Sequence, residues 1–305
     1  MNDIQKHILQ QVAGINEAPA GAYNIRVNGS SAGRSSSENI SISPKPDNKG
    51  IEIHVKANTK NETVYIPVVL NQSGLIDIVL NDFFIGENAD VTIIAGCGIH
   101  NDGHGTAQHD GIHTFYVGKN ARIVYVEKHY GEGGGDGEKI LNPVTNIYLE
   151  QGSYFEMDTV QIKGVDSTKR LTKAEVGDKA TITVSEKLMT HGSQQAETDF
   201  VVELNGEDSS AHVVSRSVAK GSSVQTFLAK INGNNRCMGH SECDAIIMDK
   251  AIVRAIPEIT AKNVDAALIH EAAIGKIAGE QITKLMTLGL TQEEAEAQIV
   301  NGFLK

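Results

Sequence analysis

Gly118-Lys-Asn-Ala121 runs into ARIVYVE, residues 121–127, and this short unit decides the fold. A turn of Gly and Asn brings the chain round, a small residue follows, and apolar and polar residues then alternate. The same unit stands at Gly86-Glu-Asn-Ala89 before DVTIIAG (90–96), at Gly177-Asp-Lys-Ala180 before ATITVSE (180–186), and at Asn205-Gly-Glu-Asp208 before AHVVSRS (211–217). Alternation with period two places successive side chains on opposite faces of a strand. IEIHVKA (51–57), TVYIPVVL (63–70), GLIDIVL (74–80), IHTFYVG (112–118), NIYLEQG (146–152), YFEMDTVQI (154–162), TDFVVEL (198–204) and VQTFLAKI (224–231) read the same way. A β-sandwich would also give many short strands. The turn, small residue and strand recurring about every 30 residues point instead to a solenoid whose stacked coils bury one continuous core. The expected class is an all-β core, a β-helix, with short helices at either end.

Those helices have their own signatures. Ile4, Ile8, Leu9 and Val12 predict an amphipathic helix over 3–13. Residues 28–50, rich in Ser, Gly, Asn and Pro, read as loop and turn. Near the other end Glu280, Ile282, Leu285 and Met286 form one stripe, stopped by Gly289. Thr291-Gln-Glu-Glu294 is a capping box, Ala295, Ile299 and Phe303 continue the apolar face, and Gly302 suits a C-terminal cap. The expected organisation is an N-terminal helix and loop over 1–50, a β-helix core over 51–268 and a helical segment over 269–305. Two short helices either cap the solenoid or offer a groove to a partner.

Composition narrows the function. The net charge is −11 with no basic block, so nucleic acid and anionic membrane are poor partners. There is no Trp, which argues against the aromatic groove of a carbohydrate-active β-helix enzyme. The three cysteines build no disulfide framework and suit a reducing cytoplasm. Residues 1–14 lack a signal-peptide core, and no apolar run is long enough to span a membrane. The Gly-rich run GEGGGDGEK (131–139) lacks G-x-x-x-x-G-K-[ST] and reads as a flexible hairpin loop. With no nucleotide motif in the chain, any nucleotide hydrolysis belongs to another protein.

Two groups of metal-ligating residue types stand out. Cys97, His100, His104, His109 and His113 fall in GCGIHNDGHGTAQHDGIH, whose glycines predict a surface loop with solvated histidines. Cys97 and His113, where strands resume, are its ordered members. The second group is Cys237, His240, Glu242, Cys243, His270 and Glu271. Thiolate and imidazole are the ligands that soft and borderline metals prefer, with carboxylate as a harder supplement. Extended backbone puts Cys243 on one face with Ala245 and Ile247, and Glu242 and Asp244 on the other. Read alone, Cys243 is a small core residue and His270 a strand-end histidine; Arg236 or a histidine nearby would lower a thiol pKa.

Cys243-Asp244, Pro257-Glu258, His270-Glu271-Ala272, Gly289-Leu-Thr-Gln-Glu-Glu-Ala295 and Ile299-Val-Asn-Gly-Phe303 occur in that order. This order resembles the end of the SufB/SufD family of iron–sulfur cluster assembly scaffolds. Gly96-Cys97 and His113 resemble its mid-core positions. The resemblance implies a right-handed parallel β-helix and a cytoplasmic, non-enzymatic scaffold of the SUF system. It implies a transient iron–sulfur cluster on Cys243, His270 and Glu271, with Cys97 handling sulfur; Cys237, His240 and His113 are weaker metal candidates. It implies a SufC-like ABC ATPase docked at Ile282, Leu285, Met286, Ile299 and Phe303, a cysteine desulfurase or sulfur carrier, apo acceptor proteins and a second subunit. Typical SufB is longer, and typical SufD lacks the cluster cysteine. A short, undivided relative carrying Cys243, His270 and Glu271 together would serve both roles as a homodimer. Neither cluster type nor the use of flavin follows from the residues. The alternatives are a metal-free assembly platform and a carbohydrate-active β-helix enzyme.

Overall fold

The structure, a computed structural model, describes residues 1–305, the side chain of Lys163 excepted. Helix α1 (Asp3–Ala13) precedes β1 (Ala22–Val27), β2 (Ser30–Ser35), β3 (Ile40–Pro44), β4 (Gly50–Val55), β5 (Lys60–Leu70), β6 (Ile76–Ile85) and β7 (Asp90–His100). Next come β8 (Ala107–Val117), β9 (Arg122–Glu132), β10 (Lys139–Leu141), β11 (Val144–Leu149), β12 (Tyr154–Lys163), β13 (Ser167–Val176) and β14 (Thr181–Thr190). The last strands are β15 (Gln195–Leu204), β16 (Ser209–Ala219), β17 (Val224–Gly233), β18 (Cys237–Ile247), β19 (Ile252–Ala261) and β20 (Ala266–Gly275), followed by α2 (Gly279–Thr287) and α3 (Gln292–Phe303).

The strands form two ten-stranded sheets, and the chain passes from one to the other within each coil. The first runs β2-β1-β5-β7-β9-β12-β14-β16-β18-β20; the second runs β19-β17-β15-β13-β10-β8-β6-β4-β3, with β11 beside β10 between β13 and β8. Coil-to-coil pairing is parallel, and about eight coils stack as the periodicity predicts. Register partners lie 32 residues apart in the middle coils and 27 to 29 apart later.

The turn explains why the repeat can be read. In each, the fourth residue donates its N–H to the first carbonyl: Ala89 to Gly86, Ala121 to Gly118, Ala180 to Gly177, Ser209 to Gly206. The third residue is left-handed: Asn88 (φ 57), Asn120 (φ 55), Lys179 (φ 55) and Asp208 (φ 58). Asn and Asp tolerate that region better than most side chains. The fourth residue is small because it is buried at the corner, Ala89, Ala121, Ala180 and Ser209 all being at most 1% exposed. Each turn also bonds to the next, Asn88 N–H to Lys119 O and Asn120 N–H to Gln151 O. The fourth quoted turn is therefore Gly206–Ser209, one residue on from the reading of its sequence.

One part of the interior is apolar. Ile53, Phe83, Phe115, Ile147, Ala174, Val202 and Ile231 form one in-register column, with the Phe83 and Phe115 rings stacked at 4.2 Å. Another is polar: Glu127, Thr159, Glu186 and Ser215 occupy one inward row of the first sheet. Helix α1 forms over 3–13 as expected and lies across β5, β7 and β9. It approaches so closely that a Cβ on Gly98 would stand 2.1 Å from Ile8 Cγ2.

Four expectations need correction. Residues 28–50 contain β2 and β3, which pair antiparallel with β1 and β4 as sheet-end strands; β2 is polar because its residues face solvent or are only half-buried. Strand β13 escaped the reading because its inward residues begin Thr168, Arg170 and Thr172. Strand β20 holds residues 266–275, so helix begins at Gly279 rather than at 269. Gly302 lies inside α3, whose C-cap is Leu304; the capping box at Thr291 is present.

Candidate functional site

The solenoid ends in an open coil. Most residues of β19 and β20 are half-buried or exposed, with Ile252, Ile256, Ile259 and Ile269 among the exposed apolar ones. Cys243 lies one strand in from this edge. It continues the polar inward row, pairing with Ser215 on one side and Ala272 on the other, and is 1% exposed. Burial, reinforced by Glu186 and Asp244, pushes its thiol up to about 12. His270 belongs to the neighbouring inward row, paired with Ser241, whose hydroxyl lies 3.2 Å from His270 Nδ1. Cys243 and His270 are thus diagonal neighbours on one face.

Glu271 stands on the other face. Alternation turns it outward with Glu242, its register partner, and with His240. One ligand atom from each of these three residues falls within 4.8 Å of the others. The structure therefore brings Cys243 to His270, and Glu271 to His240 and Glu242. Cys237 is buried and its pKa is raised by burial. The thiol-activating role expected of Arg236 fails: its guanidinium is taken by Asp208, at 2.9 Å, and Glu207, at 2.9 Å.

Upstream, Cys97 is 3% exposed and faces inward opposite His129. A cavity of about 20 Å³ lies beside it, lined by His109, His113, Glu127 and His129 among others. Burial raises Cys97 well above the usual thiol range, with Asp77 and Glu127 adding to the effect. Beside this cavity a file of polar side chains begins and crosses the interior. His113 Nδ1 lies 2.8 Å from the Tyr125 hydroxyl, which donates to Glu127 at 3.0 Å. Arg170 donates to Glu127 and lies 3.9 Å from Glu186. Ser215 donates to Glu186 at 2.6 Å, and Cys243 is the next residue in that row. Burial alone would raise Glu127; Arg170, His129 and His113 overturn that and hold it well below the usual carboxylate range. Burial pushes His113 down to about 4. The sequence reading missed this file. Its signal was there, in polar residues at inward positions of otherwise apolar strands.

The histidine-rich stretch is also more ordered than expected. His109 is buried, with Nδ1 3.1 Å from Asp77 Oδ2, and His100 lies between Asp102 and Glu132 at 2.8 and 3.2 Å. Only His104 is solvated as a loop histidine would be. The Gly-rich run 131–139 is no hairpin: it links the two sheets and stacks on the loop one coil earlier. Gly135 and Gly137 donate to Asn101 O and Gly103 O, and a Cβ on Gly135 would meet Gly103 O at 2.3 Å.

Helix α3 is anchored by Ala295, Val300 and Leu304, the last two packing with Val218 and with Phe303 beside them. Helix α2 buries none of its residues: Ile282 and Leu285 are half-buried and Met286 is exposed. Ile299 is half-buried. A cleft of about 490 Å³ opens between Ile247, Met248, Ile277, Ile282 and Glu296. Among the described residues no helix is long and apolar enough to cross a membrane.

Comparison with known proteins identifies a family and several relatives. The family model for the SUF system FeS cluster assembly, SufBD core domain, matches residues 77–303. An iron-sulfur cluster assembly SufBD family protein of Archaeoglobus fulgidus is 31% identical over 220 residues, 72% of this chain and 58% of that protein. A second, from Methanocaldococcus jannaschii, is 28% identical over 236 residues, 77% of this chain and 72% of its own. A third, from Methanothermobacter thermautotrophicus, is 31% identical over 222 residues, 72% of this chain. The chain spans 58% and 53% of the first and third of these relatives. With a family model covering most of its length and a solenoid of the expected kind, the chain belongs to the SufBD family of iron–sulfur cluster assembly proteins.

Proposed function

We propose that this chain is a scaffold, not an enzyme, on which a nascent iron–sulfur cluster is built at the open C-terminal coil and handed to apo acceptor proteins. The observation that carries the reading is the position of Cys243. It continues a buried polar row one strand in from the solenoid's open edge, diagonal to the His270 imidazole. A thiol held near 12 gives up its proton only to a strong competitor, and iron is one. Cys243 and His270 anchor the cluster from the inner face, and Glu271, which faces outward on the same edge strand as His270, contributes its carboxylate from the other side. Cys97, which lines the cavity where the file begins, receives sulfur from a cysteine desulfurase or sulfur carrier. A second copy packed on the open coil doubles the ligands. Helix α2 docks a SufC-like ABC ATPase, whose nucleotide hydrolysis drives the scaffold. The compartment that suits free thiols and a labile cluster is the cytoplasm.

Anaerobic reconstitution with iron and sulfide, followed by transfer to an apo acceptor, tests this. Cys243→Ala removes most of the cluster, since sulfur ligation dominates the affinity. Glu271→Ala weakens retention, Cys97→Ala slows sulfur loading more than it lowers final content, and Cys237→Ala matters least. Normal cluster content and transfer in Cys243→Ala would return that residue to a small core side chain and leave a metal-free platform as the reading.

A further inference from the structure

We propose that His240, Glu242 and Glu271 form a site for one divalent first-row cation on the outer face of β18 and β20, across the sheet from the Cys243 thiol. Three observations carry it. One donor atom from each residue falls within 4.8 Å of the others. Two donors each about 2.1 Å from a single ion lie up to about 4 Å apart, so small side-chain adjustments close the set. Second, His240 Nε2 is shut off from solvent, has no hydrogen-bond partner among the described residues, and faces Glu271 Oε2 at 3.5 Å. Third, Glu242 and Glu271 are register partners on adjacent strands, where like charges destabilise. Among the described residues no lysine or arginine pairs with either. A cation is what this arrangement lacks.

His212 on β16 supplies the support from behind. Its Nδ1 lies 3.2 Å from His240 Nδ1, so one ring donates and the other accepts. When His240 donates from Nδ1, its Nε2 carries a bare lone pair aimed at the carboxylates, the state a metal needs. His212 is therefore a positioning residue. One imidazole and two carboxylates carry two negative charges, which a divalent ion neutralises. Without sulfur, the set favours ferrous, manganous or zinc ions over cuprous. The inference deepens the scaffold reading by giving it a loading point for iron apart from the thiolate. Only the cation's identity as iron rests on that reading; the site does not.

The test uses the full chain, stripped of metal and kept anaerobic. Mn²⁺ is titrated and the free ion followed by electron paramagnetic resonance, with Co²⁺ absorption as the second probe. The expected result is one ion per chain, without a thiolate-to-cobalt charge-transfer band. His240→Gln, Glu242→Gln and Glu271→Gln each weaken binding at least about tenfold, and His212→Phe by about tenfold. Cys243→Ser leaves Mn²⁺ binding unchanged. Circular dichroism confirms that the variants fold, which these outward positions permit. The proposal is overturned if the folded wild-type chain binds no stoichiometric Mn²⁺. It is equally overturned if the His240→Gln/Glu271→Gln double variant binds as well as wild type, or if Cys243→Ser abolishes binding. Failure of the scaffold reading would show separately, as normal cluster reconstitution in Cys243→Ala with Mn²⁺ binding intact.

Discussion

At the scale of single residues, the interior holds charges that the hydrophobic pattern hides. His113 illustrates the consequence for stability. An imidazole in an unfolded chain titrates near 6.5, whereas burial keeps His113 neutral down to about 4. Between those values the unfolded chain binds more protons, so stability is lost as the pH falls from about 6.5 towards 4. The effect is about 3 kcal/mol. Thermal melts across that range should fall steeply for the wild-type protein and less steeply for His113→Gln; equal slopes would remove His113 from the account. These buried groups also mark the limit of what the sequence made legible. Cys243 could be assigned to one face and Glu242 to the other by counting alternate positions, but that His270 shares the face of Cys243 needed the register between β18 and β20. The links between Glu127, Arg170 and Glu186 join residues 43 and 16 positions apart, on three different strands. No local pattern connects them. Arg170 even erased its own strand from the reading, since a buried guanidinium looks like a surface residue until its two carboxylates are placed.

Elements were legible where their backbone needs were peculiar. The four-residue turns could be read because a left-handed third residue and a buried fourth restrict the choice to Asn, Asp or Gly and then Ala or Ser. Lys179 departs from that rule. Replacing it with Asn, as stands at 88 and 120, should stabilise the protein by about 1 kcal/mol, because Asn accepts this conformation with less strain. Chemical denaturation should show a higher midpoint with an unchanged slope; no gain would mean that the Lys side chain makes good the strain elsewhere. The C-terminal helices were visible from the capping box, but their division of labour was not. Helix α3 spends its apolar face on the solenoid, whereas α2 buries nothing. Met286→Glu should therefore leave melting of the β core unchanged and, if α2 docks the proposed ATPase, abolish its capture in a pull-down with the purified protein. Undiminished capture would move the docking surface off α2.

At the scale of the whole molecule, parallel stacking makes the protein nearly one-dimensional. Each coil leans on two neighbours, except at the ends. Hydrogen exchange should accordingly be slowest through the middle coils and fastest in β19 and β20, where burial is least. In a homodimer joined through the open coil that difference disappears above the dissociation constant. Sedimentation should show a stable dimer at micromolar concentration, with protection of β19 and β20 rising in step; a stable monomer would defeat the arrangement.

The two ends of the solenoid are unlike, and this decides what the protein can polymerise into. A filament grows when a molecule's head fits the tail of the next. Here the parallel ladder is broken at the N-terminal end, where β2 and β3 run antiparallel to their neighbours and β2 is mostly polar. The C-terminal end keeps a parallel edge and exposed isoleucines. Head-to-tail growth would have to seat those isoleucines on a mostly polar strand. Tail-to-tail contact uses the same surface twice, and once made it leaves nothing to add to. The mostly polar β2 thus works against fibre growth, and in the proposed homodimer a single pairing covers the edge at the other end.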